Sequence, residues 1–494
     1  MVKYGELGYQ NQWWKHRTAW TMYDADMKRF DNQKIKFKRK DIPLEAGKIF
    51  VLRGPRRVGK TVCLKRSIEK LTEKKDPYQI LYCNCETLLS RKRRELHNVI
   101  REFLYRSSKY EERYLFLDEV THIEDWRIEL KSLQDTGELC NAVTVVTGSL
   151  PSKLREESEK MPGRNTENYL LKPMMFRDFV FQAYMALPEY KTSDEARDSI
   201  HKFVETLKKA FISLEDTKSF IEALSKLDPY TGEIRKLFEL YLITGGFPEI
   251  VNSYIHSGSK SIDDRLYEDI VRWIEGDMLK DGKKNVSEIL QKVLERIGTR
   301  YSYTALTKGL ESEMSRQTLV DYIETLEKSF VLQVLYPYDF NHKRPKTKAA
   351  KKIYFSDPFI YHAVNSKLTG NKGFEHAVKN VSNEEIVSVL VEGVVASHLA
   401  RTKEYPIMNE AKDTFLWFYY DVNKEIDLIY KGMDFLGIEV KYKHSVSPKE
   451  VKKIQEVKNY LLLTKDESIF RDEKCILVPV GVFLSLLKSS ERNL

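Results

Sequence analysis

The most constraining feature of the sequence is a glycine-rich turn between an apolar segment and a helical one, within residues 48–71. Residues 54–61 read GPRRVGKT and match the phosphate-binding loop (P-loop) pattern GxxxxGK[ST] in its strand–loop–helix context. The glycines let successive backbone N–H groups turn inward on phosphate oxygens, and the positive dipole end of the helix points at the same place. The pattern predicts a nucleoside triphosphate site formed by Gly54, Pro55, Arg56, Arg57, Val58, Gly59, Lys60, Thr61 and Val62.

A second motif supplies the acids that nucleotide hydrolysis requires. Residues 113–119, RYLFLDE, form an apolar run ending in two carboxylates, which is typical of a buried parallel strand with acids at its carboxyl end. Lys60 is expected to neutralise phosphate charge, while Thr61 and Asp118 provide oxygen ligands for Mg²⁺. Glu119 is placed to activate the attacking water. The alternative is a pair of surface acids at a strand end, with nucleotide binding alone.

Further apolar segments complete a sheet around these motifs. Residues 79–84, 142–147 and 168–172 read as strands, and helical segments separate them. Alternation of strands and helices predicts an α/β fold with a doubly wound parallel sheet, whose ligand lies at the carboxyl ends of the strands.

Two side chains beyond the strand at 142–147 are candidates for catalysis. Ser149 is placed to sense the γ-phosphate and orient water or, equally, to open the next helix as its N-cap. Arg164 follows a Pro-Gly turn and is a candidate transition-state cation, from the same chain or from a neighbouring subunit of a homo-oligomer. Arg155 is the competing candidate, and an ordinary surface arginine is the third interpretation.

The middle of the chain has the pattern of a winged helix-turn-helix. Helices are predicted over 286–297 and 304–310, and Ser315 is the expected N-cap of a third. Strands follow at 330–336 and 352–355. The basic loop between these strands predicts a wing that contacts DNA phosphates, through Lys343, Arg344, Lys346, Lys348, Lys351 and Lys352. A solvated linker is the alternative, and acids on the third helix disfavour sequence-specific binding: Asp321, Glu324 and Glu327.

The last part of the chain returns to carboxylates. Residues 386–400 are apolar on nearly all sides but hold Glu392, and burying a charge there is costly unless it has a partner or a role. Asp427 lies on a following predicted strand, and Glu439 and Lys441 share one face of the next. Together they predict a Mg²⁺ or Mn²⁺ site that activates water for phosphodiester cleavage. The alternative is a domain that binds a partner and has no nuclease activity.

Composition limits the class of protein. The chain has 494 residues, 42% of them hydrophobic, so it can bury several cores, and 82 basic against 73 acidic residues give a net charge of +9. Neither an apolar stretch of membrane-spanning length nor a signal-peptide pattern is found, and five cysteines do not form a disulfide framework. We therefore expect a cytoplasmic protein without a membrane partner.

Several motifs together resemble a known family. They are RGPRRVGKT, LFLDE, TGS followed by GR and LLKPMMFRDF, GGFP at 245–248, EVK at 439–441, and the early pair Trp13 and Trp14. The sequence resembles the archaeal and bacterial P-loop ATPases of the AAA+/STAND-related group, which carry a C-terminal domain similar to PD-(D/E)XK nucleases. The resemblance implies an ATPase core with an N-terminal extension (1–175), a helical lid (176–280), a winged helix (281–365) and an α/β nuclease-like domain (366–494). It also implies that Pro248 lies in the lid near the base or ribose, whereas the sequence alone indicates only a helix end and a turn.

Three functions are compatible with these patterns. The first is an ATP- and Mg²⁺-dependent ATPase coupled to nucleic-acid handling or DNA cleavage by its C-terminal domains. The second is a nucleotide-dependent switch or assembly protein whose C-terminal domains bind protein. A GTPase or kinase is the weaker third, because the sequence shows no guanine-reading motif.

Overall fold

The computed structural model describes residues 4–159, 165–187, 194–212, 214, 217–403, 414–466, 470–472 and 475–490. The described chain divides into two compact units, residues 4–172 and 173–490.

The first unit is built on a parallel sheet. Its five strands are β1 (Ile49–Arg53), β2 (Ile80–Asn84), β3 (Arg113–Asp118), β4 (Ala142–Thr147) and β5 (Thr166–Leu170). They lie in the order β2-β3-β4-β1-β5, and every pairing is parallel. All five carboxyl ends therefore meet at one edge, where the P-loop follows β1 and the acids follow β3.

Helices cover both faces of this sheet because strand residues alternate between two cores. The helices are α1 (Trp13–His16), α2 (Ala25–Asp31), α3 (Lys60–Thr72), α4 (Arg93–Arg106), α5 (Trp126–Asp135) and α6 (Pro151–Glu159). Val51 faces a core shared with α4, α5 and α6. Phe50 faces the opposite core, which α3 shares with the N-terminal residues Trp13 and Trp20.

The N-terminal segment covers the exposed edge of β2 with side chains instead of a strand. The Asn11 amide accepts a hydrogen bond from the Tyr82 N–H at 2.7 Å and donates one to the Tyr82 carbonyl at 2.9 Å. The indoles of Trp13 and Trp14 both donate to the Ile80 carbonyl. These bonds satisfy backbone groups that would otherwise form an open sheet edge.

The second unit begins with helices and ends with a mixed sheet. Its helices are α7 (Phe176–Ala183), α8 (Asp194–Lys209), α9 (Thr217–Leu227), α10 (Thr231–Thr244), α11 (Pro248–His256), α12 (Asp264–Lys280), α13 (Val286–Glu295), α14 (Tyr303–Thr307), α15 (Arg316–Lys328), α16 (Pro358–Thr369), α17 (Gly373–Ser382), α18 (Glu384–Leu399) and α19 (Val480–Leu486). Its strands are β6 (Leu332–Leu335), β7 (Tyr338–Asp339), β8 (Arg344–Pro345), β9 (Lys352–Phe355), β10 (Leu416–Tyr420), β11 (Glu425–Lys431), β12 (Phe435–Lys441), β13 (Asn459–Thr464), β14 (Phe470–Asp472) and β15 (Cys475–Pro479).

Two small antiparallel pairs lie where the winged segment was expected. β6 pairs with β9, and β7 pairs with β8. The exposed basic residues lie within 343–348, in and around β8, and this segment is here called the exposed turn. The Ser315 hydroxyl caps α15 by accepting the Thr318 N–H. The winged-helix interpretation of these elements stays a prediction. The final sheet has the order β10-β11-β12-β13-β15-β14, with β10, β11 and β12 antiparallel to their neighbours in that group.

Candidate active site

The P-loop takes a conformation that only its glycines allow. Gly59 immediately precedes α3 with a φ of 97°, in the left-handed region. A Cβ atom on Gly54 would stand 2.0 Å from the Leu171 carbonyl oxygen, so no larger residue fits there. The Lys60 ammonium donates hydrogen bonds to the Gly54 and Pro55 carbonyls at 3.0 and 2.9 Å. The lysine side chain is thus held against the loop that would surround the phosphates.

Asp118 lies beside the first turn of α3. Its Oδ2 accepts hydrogen bonds from the Thr61 hydroxyl at 2.7 Å and from the Tyr82 hydroxyl at 2.8 Å. The carboxylate is 1% exposed, and burial raises its pKa above the usual range. The structure brings together the two predicted Mg²⁺ ligands, and adds Tyr82, which the sequence motifs do not mark. The only signal for Tyr82 was a hydroxyl within an otherwise apolar strand.

Glu119 and Ser149, which were predicted separately, are joined by a hydrogen bond to the Ser149 backbone. Glu119 has a φ of 54°, and its Oε2 accepts the Ser149 backbone N–H at 2.7 Å. The buried Ser149 hydroxyl has no hydrogen-bond partner among the described residues. A Cβ on Gly148 would stand 2.6 Å from the Thr121 Cγ2, so the turn after β4 needs glycine to approach so closely. The bond to Ser149 fixes the Glu119 carboxylate at the carboxyl edge of the sheet.

The remaining predictions for the nucleotide site concern Arg164, its competitor Arg155, and Pro248. Arg164 lies outside the described residues, while Arg155 is half-buried on α6. Pro248 is the first residue of α11 in the second unit. The preceding glycines, Gly245 and Gly246, pack against other residues of the second unit. There the Gly246 N–H donates to Asp357 Oδ2 at 2.9 Å. The roles of Arg164 and Pro248 stay predictions.

Comparison with known proteins addresses the first unit directly. Residues 46–180 match the family described as AAA domain. This part of the chain, which contains the P-loop, is therefore similar to AAA domains. Residues 235–372 and 388–483 match two families described as domains of unknown function, DUF8612 and DUF4143.

Individual relatives extend over most of the chain. It is 25% identical over 479 residues to the uncharacterized protein MJ1637 of Methanocaldococcus jannaschii, across 94% of this chain and 90% of that protein. The Walker-type ATPase paby2304 of Pyrococcus abyssi aligns with a TM-score of 0.40 and 15% identity, over 71% of this chain and 95% of its own. AMPPCP-bound DnaA from Aquifex aeolicus aligns with a TM-score of 0.23 and 14% identity, over 63% and 88%.

Outside the AAA-like part of the chain, the second unit gathers the predicted nuclease residues into one cluster. Asp427 on β11 accepts the Val440 N–H at 3.0 Å, which fixes it beside β12. The Lys441 ammonium lies 3.5 Å from Glu439 Oε2 and 3.9 Å from Asp427 Oδ2. Glu392 reaches the cluster from α18.

A second lysine, Lys352, stands among these carboxylates. Its ammonium lies 2.8 Å from Glu392 Oε1, 2.9 Å from Glu425 Oε1 and 3.4 Å from Asp427 Oδ1. The expectation that Lys352 belongs to a DNA-binding wing is therefore wrong, because its side chain is 2% exposed and ion-paired. Sequence reasoning missed both Lys352 and Glu425 as members of this cluster.

Burial and neighbouring charges shift the pKa values of the residues in this cluster. Burial and the nearby Asp427 charge raise the pKa of Glu392 and of Glu439. Burial also acts to raise the pKa of Asp427, but Lys352 and Lys441 outweigh it and hold that pKa below the usual range. For Lys352, the opposing carboxylates outweigh the effect of burial and raise its pKa. Lys352 is thus a persistent cation within the cluster.

The prediction that Lys351 lies on an exposed DNA-binding wing is also wrong. Its buried ammonium donates to the Thr347 and Ala349 carbonyls, each at 2.9 Å, and lies 4.4 Å from the ring centroid of Tyr303. Burial lowers the pKa of Lys351 to about 8. The exposed cations that remain on this turn are Lys343, Arg344, Lys346 and Lys348.

No helix among the described residues combines the length and apolar character that crossing a membrane requires. In the same part of the chain, no group of three or more His, Cys, Asp or Glu side chains has an arrangement that could hold a metal ion.

Proposed function

We propose that the chain hydrolyses ATP in a Mg²⁺-dependent reaction at the P-loop of its first unit. The observation that carries the proposal is the contact of Thr61 and Asp118 beside Lys60, with Glu119 at the same edge of the sheet. Phosphate binding, charge neutralisation and water activation each have a residue type suited to them within this one region.

The binding step rests on the loop and on Lys60. The backbone N–H groups of residues 54–61 and the start of α3 favour a negatively charged phosphate chain. The Lys60 ammonium now donates to two loop carbonyls, and bound phosphate oxygens would replace these as stronger, charged acceptors. The affinity of the P-loop for the phosphates of ATP therefore depends on the positive charge of Lys60.

The metal requirement rests on Thr61 and Asp118. Their side-chain oxygens lie 2.7 Å apart, and a hydroxyl with a carboxylate is a donor set that suits Mg²⁺. These residues would hold Mg²⁺, which when bound would offset the negative charge developing on the phosphate oxygens. Their present hydrogen bond keeps both oxygens oriented toward each other.

The hydrolytic step rests on Glu119. Its carboxylate is oriented by the Ser149 N–H through Oε2, which leaves Oε1 to accept a proton from water. Ser149 thus supports the proposal as a positioning residue for Glu119 through its backbone, instead of through its hydroxyl. A transition-state cation from Arg164, in the same chain or a second copy, remains part of the hypothesis.

Replacing Glu119 by Gln tests this assignment. We expect ATP turnover to fall by roughly 100-fold or more, because the amide cannot accept the proton, while ATP affinity stays within about threefold. The matched control is Glu124→Gln, an exposed acid five positions along, which should turn over ATP at the wild-type rate. Equal turnover in Glu119→Gln and wild type would remove Glu119 as the general base.

A second candidate function is phosphate-backbone binding by the exposed turn around β8, residues 343–348. Lys343, Arg344, Lys346 and Lys348 are exposed there, and clustered exposed cations gain affinity for DNA through counterion release. Without such binding, a nucleotide-dependent switch that contacts protein is the better description of the second unit. DNA cleavage is not part of the proposal, because Lys352 stands among the carboxylates that would hold the required metal.

A further inference from the structure

Lys352 occupies the centre of the carboxylate cluster in the second unit. It is the first residue of β9, and its ammonium contacts Glu392 of α18 and both Glu425 and Asp427 of β11. Two of these carboxylates, Glu392 and Asp427, are among the three residues predicted to hold a divalent metal. The cluster already holds two ammonium groups, since Lys441 lies on its other side.

The position of Lys352 is fixed by the fold around it. Lys352 pairs with Leu335 across the β6–β9 ladder, which sets the register of the strand. Two residues further on, the Tyr354 hydroxyl donates to Glu392 Oε1, the same oxygen that Lys352 contacts. Lys352 and Tyr354, which lie on the same strand, thus contact the same carboxylate oxygen of α18.

The carboxylates that were predicted to hold the metal already lie beside ammonium groups. Glu392 Oε1 and Asp427 Oδ1 lie 2.8 and 3.4 Å from the Lys352 nitrogen, and Asp427 Oδ2 and Glu439 Oε2 lie 3.9 and 3.5 Å from the Lys441 nitrogen. A divalent cation at these oxygens would be repelled by both ammonium charges. Among the described residues no three acids have an arrangement that could hold a metal ion. The residues present therefore do not fit the metal that the resemblance implies.

We propose that Lys352 is the built-in cation of this cluster, taking the place of a divalent metal and joining β9 to α18 and β11 through buried ion pairs. The second unit then binds no catalytic metal at these carboxylates and performs no metal-dependent phosphodiester cleavage. The inference is independent of ATP hydrolysis, which belongs to the first unit.

Metal binding tests the proposal in the full-length protein without nucleotide. Mn²⁺ is titrated by calorimetry into wild type and Asp427→Asn, with Asp118→Asn to report any ion held at the P-loop. We expect the wild-type and Asp427→Asn isotherms to superimpose. A Mn²⁺ ion that wild type binds and Asp427→Asn lacks would overturn the proposal.

Thermal unfolding provides a second, independent arm. Lys352→Met leaves buried carboxylates unpaired and should lower the Tm by at least about 5 °C, whereas Lys348→Met in the exposed turn should leave it unchanged. Adding Glu392→Gln to Lys352→Met should restore part of the loss, because one uncompensated charge is removed. A Lys352→Met protein as stable as wild type would contradict the proposal. If Lys352→Met does not fold, Glu392→Gln alone still reports the pair: it should lower the Tm, and an unchanged Tm would count against it.

Discussion

At the scale of single residues, Asp118 connects more of the first unit than its motif suggests. One of its oxygens accepts hydrogen bonds from both Thr61 and Tyr82. Tyr82 is in turn held by the Asn11 amide through its backbone and lies under the Lys65 ammonium, 5.3 Å from the ring centroid. The residue proposed to hold Mg²⁺ is thus oriented by a chain of contacts that begins in the N-terminal segment.

We therefore expect Tyr82→Phe to weaken Mg²⁺ binding without slowing the hydrolytic step itself. Loss of the hydroxyl donor should raise the Mg²⁺ concentration for half-maximal ATPase activity by about tenfold, with kcat at saturating Mg²⁺ little changed. The measurement is ATP turnover against Mg²⁺ concentration.

Tyr114→Phe is the matched control for that variant. Tyr114 is a buried tyrosine on the neighbouring strand β3, but its hydroxyl donates to Glu112, far along the strand from Asp118. Tyr114→Phe should leave the Mg²⁺ concentration for half-maximal ATPase activity at the wild-type value. If Tyr82→Phe behaves like this control, Tyr82 has no part in positioning Asp118.

At the scale of elements, the basic segment at 341–352 shows what a local pattern can and cannot predict. Its charge was evident, and the exposed turn around β8, residues 343–348, carries four of its six marked cations. Lys351 and Lys352 instead point into buried surroundings, because the start of β9 and its pairing with β6 set their direction. That direction depends on Tyr303 and Glu392, which are distant in sequence and leave no local signal.

The exposed turn therefore carries the testable part of the nucleic-acid hypothesis. Replacing Lys343, Arg344 and Lys348 by Ala should weaken duplex DNA binding. The slope of log affinity against log salt concentration should also become shallower, by an amount equivalent to the loss of up to about three phosphate contacts. Fluorescence anisotropy across a salt series measures both quantities.

A variant with the same change in net charge separates the turn from general electrostatics. Replacing the exposed residues Lys449, Lys452 and Lys458 by Ala removes three charges elsewhere in the second unit. This variant should bind DNA with a nearly wild-type salt slope. Equal losses in the two variants would show that the turn is not the binding site.

At the scale of the whole molecule, the predictions succeed where a short motif fixes its own backbone. Gly59 has the left-handed conformation that suits the P-loop motif, and Asp118 and Glu119 stand at the carboxyl end of β3, because each of these features depends on adjacent residues. Tyr82, Glu425 and Lys352 were not predicted to join their sites, since strands far apart in sequence bring them there. The four predicted domains stay a prediction beside the two compact units of the structure.

The central claim is that ATP is hydrolysed at the P-loop, and phosphate release from ATP with Mg²⁺ tests it most directly. Lys60→Ala should lose roughly 100-fold or more of the wild-type rate, because the charge that stabilises the transferring phosphate is removed. Lys70→Ala, an exposed lysine on the same helix, should retain that rate. Wild-type phosphate release from the Lys60→Ala protein would contradict the account.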